Sequence, residues 1–242
     1  METQPIYDAI ESFCDELVAR APEEVTPFLI GRKDRIKRET LRQSPERFVS
    51  ENLVWPLLEA VDVDFITEAY LSGYNGQVDF LIQNTSHRVL GECKPFNHYK
   101  KAVKDLREYL GHRTTGTEFG IATDGVNWLF IREPGDRRQN VAVLEYHTFR
   151  PALFQYFLED EVVSPSLEGH YVLWNSTVGE YREYGELRPV DIHESARRFM
   201  SAFQPRNLDQ QLESGAFDRT LDEFSRKSED SSQENQTLDD FF

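Results

Sequence analysis

The spacing of apolar residues changes near residue 61, and this change constrains the fold more than any other feature. Over residues 5–20 apolar positions recur at helical spacing, and a second helix is predicted to begin at residues 44–47 and to kink or end at Pro56. Beyond the change, apolar and polar residues alternate as in a strand. The elements predicted there are three strands, a helix and two strands, over residues 61–70, 77–82, 88–94, 99–111, 119–123 and 128–132. This order predicts an α/β core in which helices flank a mixed β-sheet.

The C-terminal third of the chain has a weaker pattern. A strand and three helices are predicted over residues 141–148, 151–161, 194–203 and 208–224. From residue 225 the chain is polar and acidic, which is typical of a flexible linker. We therefore expect three parts: a domain with N-terminal helices over 1–150, a mostly helical C-terminal extension over 151–224, and a flexible tail over 225–242.

The composition is that of a globular protein that we expect to stay in the cytoplasm. Hydrophobic residues make up 39% of the 242 residues, and no apolar run reaches the roughly 18 residues that cross a bilayer. The N-terminus has neither the positive start nor the apolar segment of a signal peptide. Cys14 and Cys93 stand outside any Cys/His cluster, so neither a disulfide framework nor a structural zinc site is expected.

The net charge of −16 opposes binding to nucleic acid, because phosphates repel an acidic protein. The charge is uneven, however: residues 151–242 carry 19 acidic and 8 basic residues, whereas residues 32–47 are rich in arginine and lysine. Arginine outnumbers lysine by 20 to 7. This composition resembles that of proteins from salt-loving archaea, so we hypothesise a halophilic source, in which molar salt screens charges beyond about 3 Å. DNA binding would then depend on short-range contacts and bridging metal ions.

Three charged residues on two neighbouring strands form the candidate catalytic group. Glu92 and Lys94 are two residues apart, so in a strand they point to the same face. A short turn between the strands would pair them antiparallel and bring Asp79 close to Glu92. Two carboxylates and an ammonium suit metal-assisted phosphodiester hydrolysis, because Mg²⁺ takes hard oxygen ligands and activates bound water. We expect Mg²⁺ as the cofactor, with Mn²⁺ as an alternative, and Lys94 beside the attacking water.

The same pattern has a purely structural interpretation. An acid-x-Lys triplet is expected about once by chance in a chain with 43 acids and 7 lysines. A solvated strand face with a surface ion pair would also produce it. Three surrounding features favour the catalytic interpretation: an Asp on the preceding strand, apolar residues on the alternate face, and a helix with several lysines directly afterwards.

The segment 51–130, about a third of the chain, resembles the PD-(D/E)XK nuclease superfamily, in particular the N-terminal nuclease domain of type I restriction-enzyme R subunits. The matching motifs are Trp55-Pro56-Leu57-Leu58, Val78-Asp79, Glu92-Cys93-Lys94 and Ala122-Thr123-Asp124-Gly125-Val126-Asn127-Trp128. The resemblance implies a restriction-endonuclease-like fold and Mg²⁺-dependent cleavage of DNA. By this likeness Asp79 and Glu92 would bind the metal ion, and Lys94 would order the attacking water.

The resemblance also implies an auxiliary metal ligand on the helix before the sheet. Glu51 is the candidate, and Glu59 is its competitor. An acid near the start of a helix also commonly serves as a cap or as a partner of the helix dipole. Related nucleases often pair to cut both strands, so a homodimer is a candidate assembly, although the sequence leaves the oligomeric state open.

Two departures from the family pattern stand out. Val78 replaces the proline of the family's name, which is a common variation. On the next helix many relatives have Gln-x-x-x-Tyr; here Tyr109 matches, but Asp105 replaces the glutamine. Lys101 and Lys104 are therefore candidates for contacts with DNA, as is Tyr109, although helical charges more often form a solvated face. The chain contains no Gly-x-x-x-x-Gly-Lys-Ser/Thr phosphate loop, so a motor subunit is excluded.

The last eight residues, 235–242, resemble a PCNA-interacting peptide, which has the pattern Gln-x-x-aliphatic-x-x-aromatic-aromatic. Leu238, Phe241 and Phe242 would lie on one side of a helical turn and fill an apolar groove of a sliding clamp. Asn235 replaces the glutamine of the pattern. The alternative is that the tail docks on its own domain.

These features lead to one leading hypothesis and two alternatives. The leading hypothesis is a Mg²⁺-dependent DNA endonuclease that a PCNA-type sliding clamp recruits for DNA repair or replication. A restriction or defence nuclease is the second, favoured by the likeness to type I subunits. A catalytically inactive adaptor that binds DNA or the clamp is the third, and the intact Asp79, Glu92 and Lys94 argue against it.

Overall fold

A computed structural model describes residues 3–25, 36–71, 76–110, 116–133, 141–149, 153, 162–165, 171–175, 180–184, 192–214 and 219–220. Within these ranges the chain forms a mixed seven-stranded sheet, a three-stranded sheet and flanking helices. The prediction of a mixed α/β fold with C-terminal helices is confirmed. None of the described helices combines the length and the apolar character needed to cross a bilayer.

The N-terminal helices precede the sheet, and those predicted over 5–20 and from 44–47 begin close to their predicted positions. They are α1 (Gln4–Arg20), a 3₁₀ turn (Pro22–Glu24), α2 (Arg38–Leu41), α3 (Pro45–Val49), a π-helical turn (Ser50–Val54) and α4 (Trp55–Ala60). Of the two effects predicted for Pro56, a kink or an end of the helix, the second is wrong, because α4 continues to Ala60. A proline cannot donate to the preceding turn, and the change to π-helical hydrogen bonding directly before it lets the chain continue.

The large sheet is antiparallel except at its centre. Its strands are β1 (Phe65–Tyr70), β2 (Gln77–Ile82), β3 (Val89–Cys93), β4 (Phe119–Thr123), β5 (Asn127–Arg132), β6 (Ala142–Thr148) and β10 (Arg219–Thr220), in that spatial order. β3 and β4 run parallel, and helix α5 (Tyr99–Leu110) connects them. A parallel pair needs such a crossover. β1 begins four residues later than predicted, because α4 extends to residue 60.

The C-terminal extension contains strands that the sequence pattern did not predict. β7 (Val162–Pro165), β8 (Tyr171–Asn175) and β9 (Glu180–Tyr184) form an antiparallel sheet, so the prediction of a mostly helical extension missed them. Strands of four or five residues carry too little periodicity to be recognised with confidence from one sequence.

Two helices follow the small sheet, α6 (Ile192–Phe203) and α7 (Pro205–Ser214). The predicted helix over 208–224 is confirmed as far as Ser214 and is wrong at residues 219–220; residues 215–218 and 221–224 lie outside the described residues. The next described residues, Arg219–Thr220, pair with β6 instead.

Separate apolar cores cover the two faces of the large sheet. The larger core joins α1, α3, α4, α6 and α7 to one face, and the smaller core joins α5 to the other. Strand β5 shows the alternation most clearly: Trp128 and Phe130 belong to the larger core, whereas Leu129 and Ile131 belong to the smaller one. A strand that is buried on both faces has a nearly continuous apolar sequence, as β5 does.

Some predicted features lie outside the described residues. These are the helix over 151–161 apart from Leu153, the basic residues 32, 33 and 35, and the whole tail over 225–242 with Leu238, Phe241 and Phe242.

Gly125 lies at a close contact between the sheet and the helical layer. It lies in the turn between β4 and β5 with φ +82°, and a Cβ there would come within 2.8 Å of side-chain atoms of Leu53 and Val49. We expect Gly125→Ala to lower the free energy of unfolding by about 2–4 kcal/mol, because it combines a left-handed backbone with overpacking. Gly116→Ala is the matched control: Gly116 has φ +63°, but a Cβ there would meet nothing within 4 Å, so it should cost only about 1 kcal/mol. Urea unfolding measures both, and equal losses would contradict the packing argument.

Candidate active site

Asp79 and Glu92 lie opposite each other at the end of the β2–β3 ladder. The antiparallel register pairs Leu81 with Leu90. Two residues further along each strand, Asp79 and Glu92 come to the next opposing position on the same face. The Asp79 carboxylate is held there because its Oδ2 accepts the backbone N–H of Cys93 at 2.6 Å. The expectation that Asp79 lies close to Glu92 therefore agrees with the observed register.

Lys94 follows β3 directly, and its backbone N–H donates to the carbonyl of Thr123 at 2.9 Å. Its side chain turns back to the acids: the ammonium donates to Oε1 of Glu92, lies 3.3 Å from Oδ2 of Asp105 and lies 3.9 Å from Oε1 of Glu46. Lys94 is only 6% exposed. A charge so deeply buried needs partners, and here three carboxylates surround it.

Glu46 reaches this cluster from the first turn of α3. Ser44 caps the helix, since its Oγ accepts the backbone N–H of Arg47 at 3.4 Å. Inside the helix, Phe48 and Val49 are buried in the larger core. The cap and the buried face together fix the rotation of α3, which leaves Glu46 half-buried beside Lys94.

The Thr-Asp-Gly-x-x-Trp hairpin between β4 and β5 positions helix α5, which carries Asp105. Asp124 is fully buried; its Oδ1 accepts the backbone N–H groups of Val126 at 3.2 Å and Asn127 at 2.7 Å. Its Oδ2 accepts the N–H of Tyr99, the first residue of α5, at 3.3 Å. A carboxylate at a helix N-terminus also favours the helix dipole. The hairpin motif thus has a structural role, because it holds the start of the helix that brings Asp105 to Lys94.

Glu68 adds a carboxylate that the sequence analysis did not consider. The β1–β2 register pairs Thr67 with Phe80 and Ala69 with Val78, which leaves Glu68 opposite Asp79. Glu68 has φ +50°, an uncommon conformation for a residue within a strand. Glu68 was not predicted because its position beside Asp79 depends on how β1 pairs with β2, and the residue pattern within each strand does not determine that pairing.

Negative charge exceeds positive charge in this cluster, and the pKa values reflect the excess. Burial and the charge of Asp79 raise the pKa of Glu92 to about 8, although Lys94 pulls it down. Burial raises the pKa of Asp79 against the Cys93 hydrogen bond, and burial raises the pKa of Glu46 against the pull of Lys94. Burial disfavours the charged form of Lys94, but its hydrogen bond and ion pair with Glu92 outweigh burial and raise its pKa.

The donor set fits a divalent cation that prefers oxygen ligands. Glu92 is 3% exposed, and its Oε2 is buried without a hydrogen-bond partner among the described residues. Such an oxygen is costly to bury unless something binds it. Across the described residues no three His, Cys, Asp or Glu side chains converge closely enough to hold an ion alone. Mg²⁺ nevertheless commonly uses one or two carboxylates together with water and substrate phosphate.

The expected auxiliary ligand, Glu51, does not join this group. Its Oε1 accepts from Nε of Arg47 and its Oε2 accepts from Nε2 of Gln43, both at 2.5 Å. Glu51 follows Glu46 by five residues, which in a helix turns the side chain by about 140°. The competitor Glu59 is exposed on α4. The helical acid that approaches the candidate site is thus Glu46, and the role given to Glu51 has no geometric support.

The residues expected to contact DNA all lie on α5. Lys101 and Lys104 are exposed, and Lys101 is close enough to Glu46 to lower its pKa against the effect of burial. Tyr109 is half-buried and packs against the smaller core. Both lysines are therefore accessible to a ligand, whereas Tyr109 contributes to packing; their contacts with DNA stay predictions.

Comparison with known proteins finds a distant and partial similarity. Over 126 residues the chain is 24% identical to a protein of Methanocaldococcus jannaschii that is provisionally named a type II restriction enzyme and methyltransferase. The matched segment covers 49% of this chain and 10% of that protein, so the chain spans only a small part of its relative's length. No protein-family model matches the chain, and no solved structure matches it.

The raised pKa of Glu92 predicts how stability depends on pH in the absence of divalent cations. The folded state binds a proton at Glu92 that the unfolded state releases near pH 4.5, so stability should fall as pH rises from about 5 to 8. Glu92→Gln removes this buried charge. We expect the variant to match the wild type near pH 5 and to be more stable by about 1–3 kcal/mol at pH 8.5.

Urea unfolding in EDTA at several pH values measures this effect. Glu59→Gln removes an exposed carboxylate and is the matched control. A Glu92→Gln variant that loses stability with pH as steeply as the wild type would contradict the assignment of a buried charge to Glu92.

Proposed function

We propose that this protein is a divalent-metal-dependent DNA endonuclease with Asp79, Glu92 and Lys94 as its catalytic core. The observation that carries the proposal is that Oε2 of Glu92 is buried without a hydrogen-bond partner among the described residues. Asp79 lies opposite Glu92 on the neighbouring strand, and the ammonium of Lys94 donates to the other carboxyl oxygen of Glu92. The mixed α/β fold and the partial similarity to a restriction enzyme support the same conclusion.

Asp79 and Glu92 would hold Mg²⁺, or Mn²⁺ in its place. When bound, the cation would activate water and offset charge on the scissile phosphate. Glu46 rather than Glu51 is the helical carboxylate proposed as the auxiliary group, because it is already beside Lys94. The backbone N–H of Cys93 keeps Asp79 oriented before any ligand arrives.

Lys94 would position the attacking water and stabilise negative charge that develops on the phosphate. Burial and three carboxylate neighbours keep its ammonium charged, since its pKa is raised. Asp105 and Glu46 lie beside the same ammonium, at 3.3 and 3.9 Å. Asp105 would therefore act as a positioning residue in place of the glutamine of the resembled family.

The biological setting has two candidates. A restriction or defence role is favoured by the similarity to a restriction enzyme. A role in repair or replication is favoured by the C-terminal motif that resembles a clamp-binding peptide. Both settings use the same hydrolytic chemistry, whereas an inactive adaptor would use none.

Replacing Lys94 tests the proposed chemistry. We expect Lys94→Ala to lower the rate of cleavage of plasmid DNA in Mg²⁺ or Mn²⁺ by about 10²-fold or more, because the water and the developing charge lose their partner. Lys100→Ala, which removes an exposed lysine of α5, is the control and should cut at the wild-type rate. If Lys94→Ala and the wild type cut equally well, or if neither cuts under any divalent cation, the proposed function is wrong.

Removing residues 238–242 tests recruitment by a PCNA-type sliding clamp. We expect the truncated protein to lose affinity for the clamp, because Leu238, Phe241 and Phe242 would supply the apolar contacts. Cleavage of naked DNA should be unchanged. Calorimetric titration of the clamp with both proteins measures the difference, and equal affinities would refute the clamp proposal without affecting the nuclease proposal.

A further inference from the structure

A polar cleft lies on the N-terminal helices, next to the candidate active site. Residues of α1, α2 and the segment from α2 to the π-helical turn line it. Its charged residues are four arginines and three glutamates: Arg20, Arg38, Arg42, Arg47, Glu16, Glu39 and Glu51. Thr40, Gln43 and Ser44 add hydroxyl and amide groups. Four clustered arginines are unusual in a chain whose net charge is −16.

Two of these arginines already have partners within the protein. Arg20 donates to Glu16 at 2.7 Å and to the carbonyl of Leu41 at 2.8 Å, and its guanidinium lies over the ring of Phe48. Arg47 pairs with Glu51. These contacts build the wall of the cleft, and they neutralise Glu16 and Glu51.

The other two arginines, Arg38 and Arg42, are exposed. Among the described residues, neither side chain makes an ion pair or a hydrogen bond. They are four positions apart: Arg38 begins α2, and Arg42 follows its last residue as the C-cap. Arg42 also has φ +55°, a left-handed conformation that costs a non-glycine residue about 1 kcal/mol or more. Glu39, the third acid of the cleft, makes no ion pair with a described residue.

Two exposed guanidinium groups without ion-pair partners among the described residues favour an anionic ligand. The guanidinium group is suited to phosphate, because its planar fork donates two parallel hydrogen bonds. Hydroxyl and amide side chains beside it are common partners of the DNA backbone. An acid-rich protein would bind DNA only where such a local surface overcomes its overall charge.

Helix α3 contributes residues both to the cleft and to the candidate active site. Arg47 lines the cleft, whereas its neighbour Glu46 approaches the ammonium of Lys94. Consecutive helical residues point about 100° apart. The two sites therefore occupy adjacent sides of the same helical turn, and a DNA strand could run from one to the other.

We propose that Arg38 and Arg42 bind consecutive phosphates of the DNA backbone and guide the strand towards Glu92 and Lys94. The inference rests on the proposed nuclease function and adds the surface by which the substrate is held. The contacts are with phosphate, so they supply affinity and orientation without sequence preference.

The test measures DNA binding apart from cleavage. A fluorescein-labelled 20-base-pair duplex is titrated with the full chain in EDTA at 50–200 mM KCl, and anisotropy gives the affinity at each salt concentration. We expect Arg38→Gln/Arg42→Gln to weaken binding roughly tenfold at 100 mM KCl and to reduce the slope of log affinity against log salt by about two. Arg197→Gln/Arg206→Gln, which neutralises two exposed arginines on α6 and α7, should leave the slope unchanged.

The outcomes separate this inference from the proposed function. An unchanged salt slope in Arg38→Gln/Arg42→Gln overturns the phosphate surface, even if the wild type cuts DNA. The proposal is also overturned if the Arg38→Gln/Arg42→Gln variant loses affinity for poly-glutamate while its salt slope for DNA binding is unchanged. The two arginines would then bind an acidic protein partner. A reduced slope in a protein that never cuts DNA supports the surface and refutes the nuclease proposal.

Discussion

The candidate site depends on one buried hydrogen bond, which the ammonium of Lys94 donates to the carboxyl group of Glu92. Both residues are almost inaccessible to solvent, and charges in such a place are stable only with close partners. The contact forms because residues two apart in an extended segment share a face, and because the backbone N–H of Lys94 still bonds to Thr123 of the parallel strand β4. Asp79, Glu46 and Asp105 add negative charge that one ammonium does not balance. Burial, reinforced by this negative charge, raises the pKa of Glu92, and its Oε2 has no hydrogen-bond partner among the described residues.

The scaffold around the pair restricts its geometry from both faces of the sheet. Helix α3 brings Glu46 from the side of the larger core, whereas α5 brings Asp105 from the side of the smaller one. The hairpin at Asp124 caps α5, and a serine caps α3. Each charged group is thus fixed by an element with its own buried face, which favours preorganisation over a flexible arrangement of surface charges.

The sequence predicted the parts of the site that depend on a period of two. Alternation along β3 placed Glu92 and Lys94 together, and a short connection from β2 made Asp79 their neighbour. Which helical acid faces the site was harder to predict, because the side chains of Glu46 and Glu51 point about 140° apart around the helix axis. The local cap at Ser44 sets where the helix begins, and the burial of Phe48, which depends on tertiary packing, sets which acid turns towards Lys94. The three-stranded sheet of the extension was missed for a similar reason, since strands so short have little internal pattern.

The most direct test of the central claim is anomalous diffraction from crystals soaked in Mn²⁺. Mn²⁺ prefers the same oxygen ligands as Mg²⁺ and gives an anomalous signal that locates it without ambiguity. The account predicts a peak that carboxylate oxygens of both Asp79 and Glu92 approach at about 2.1 Å, with Lys94 adjacent but not bound to the metal. A peak elsewhere, or none at Mn²⁺ concentrations that support cleavage, would contradict it.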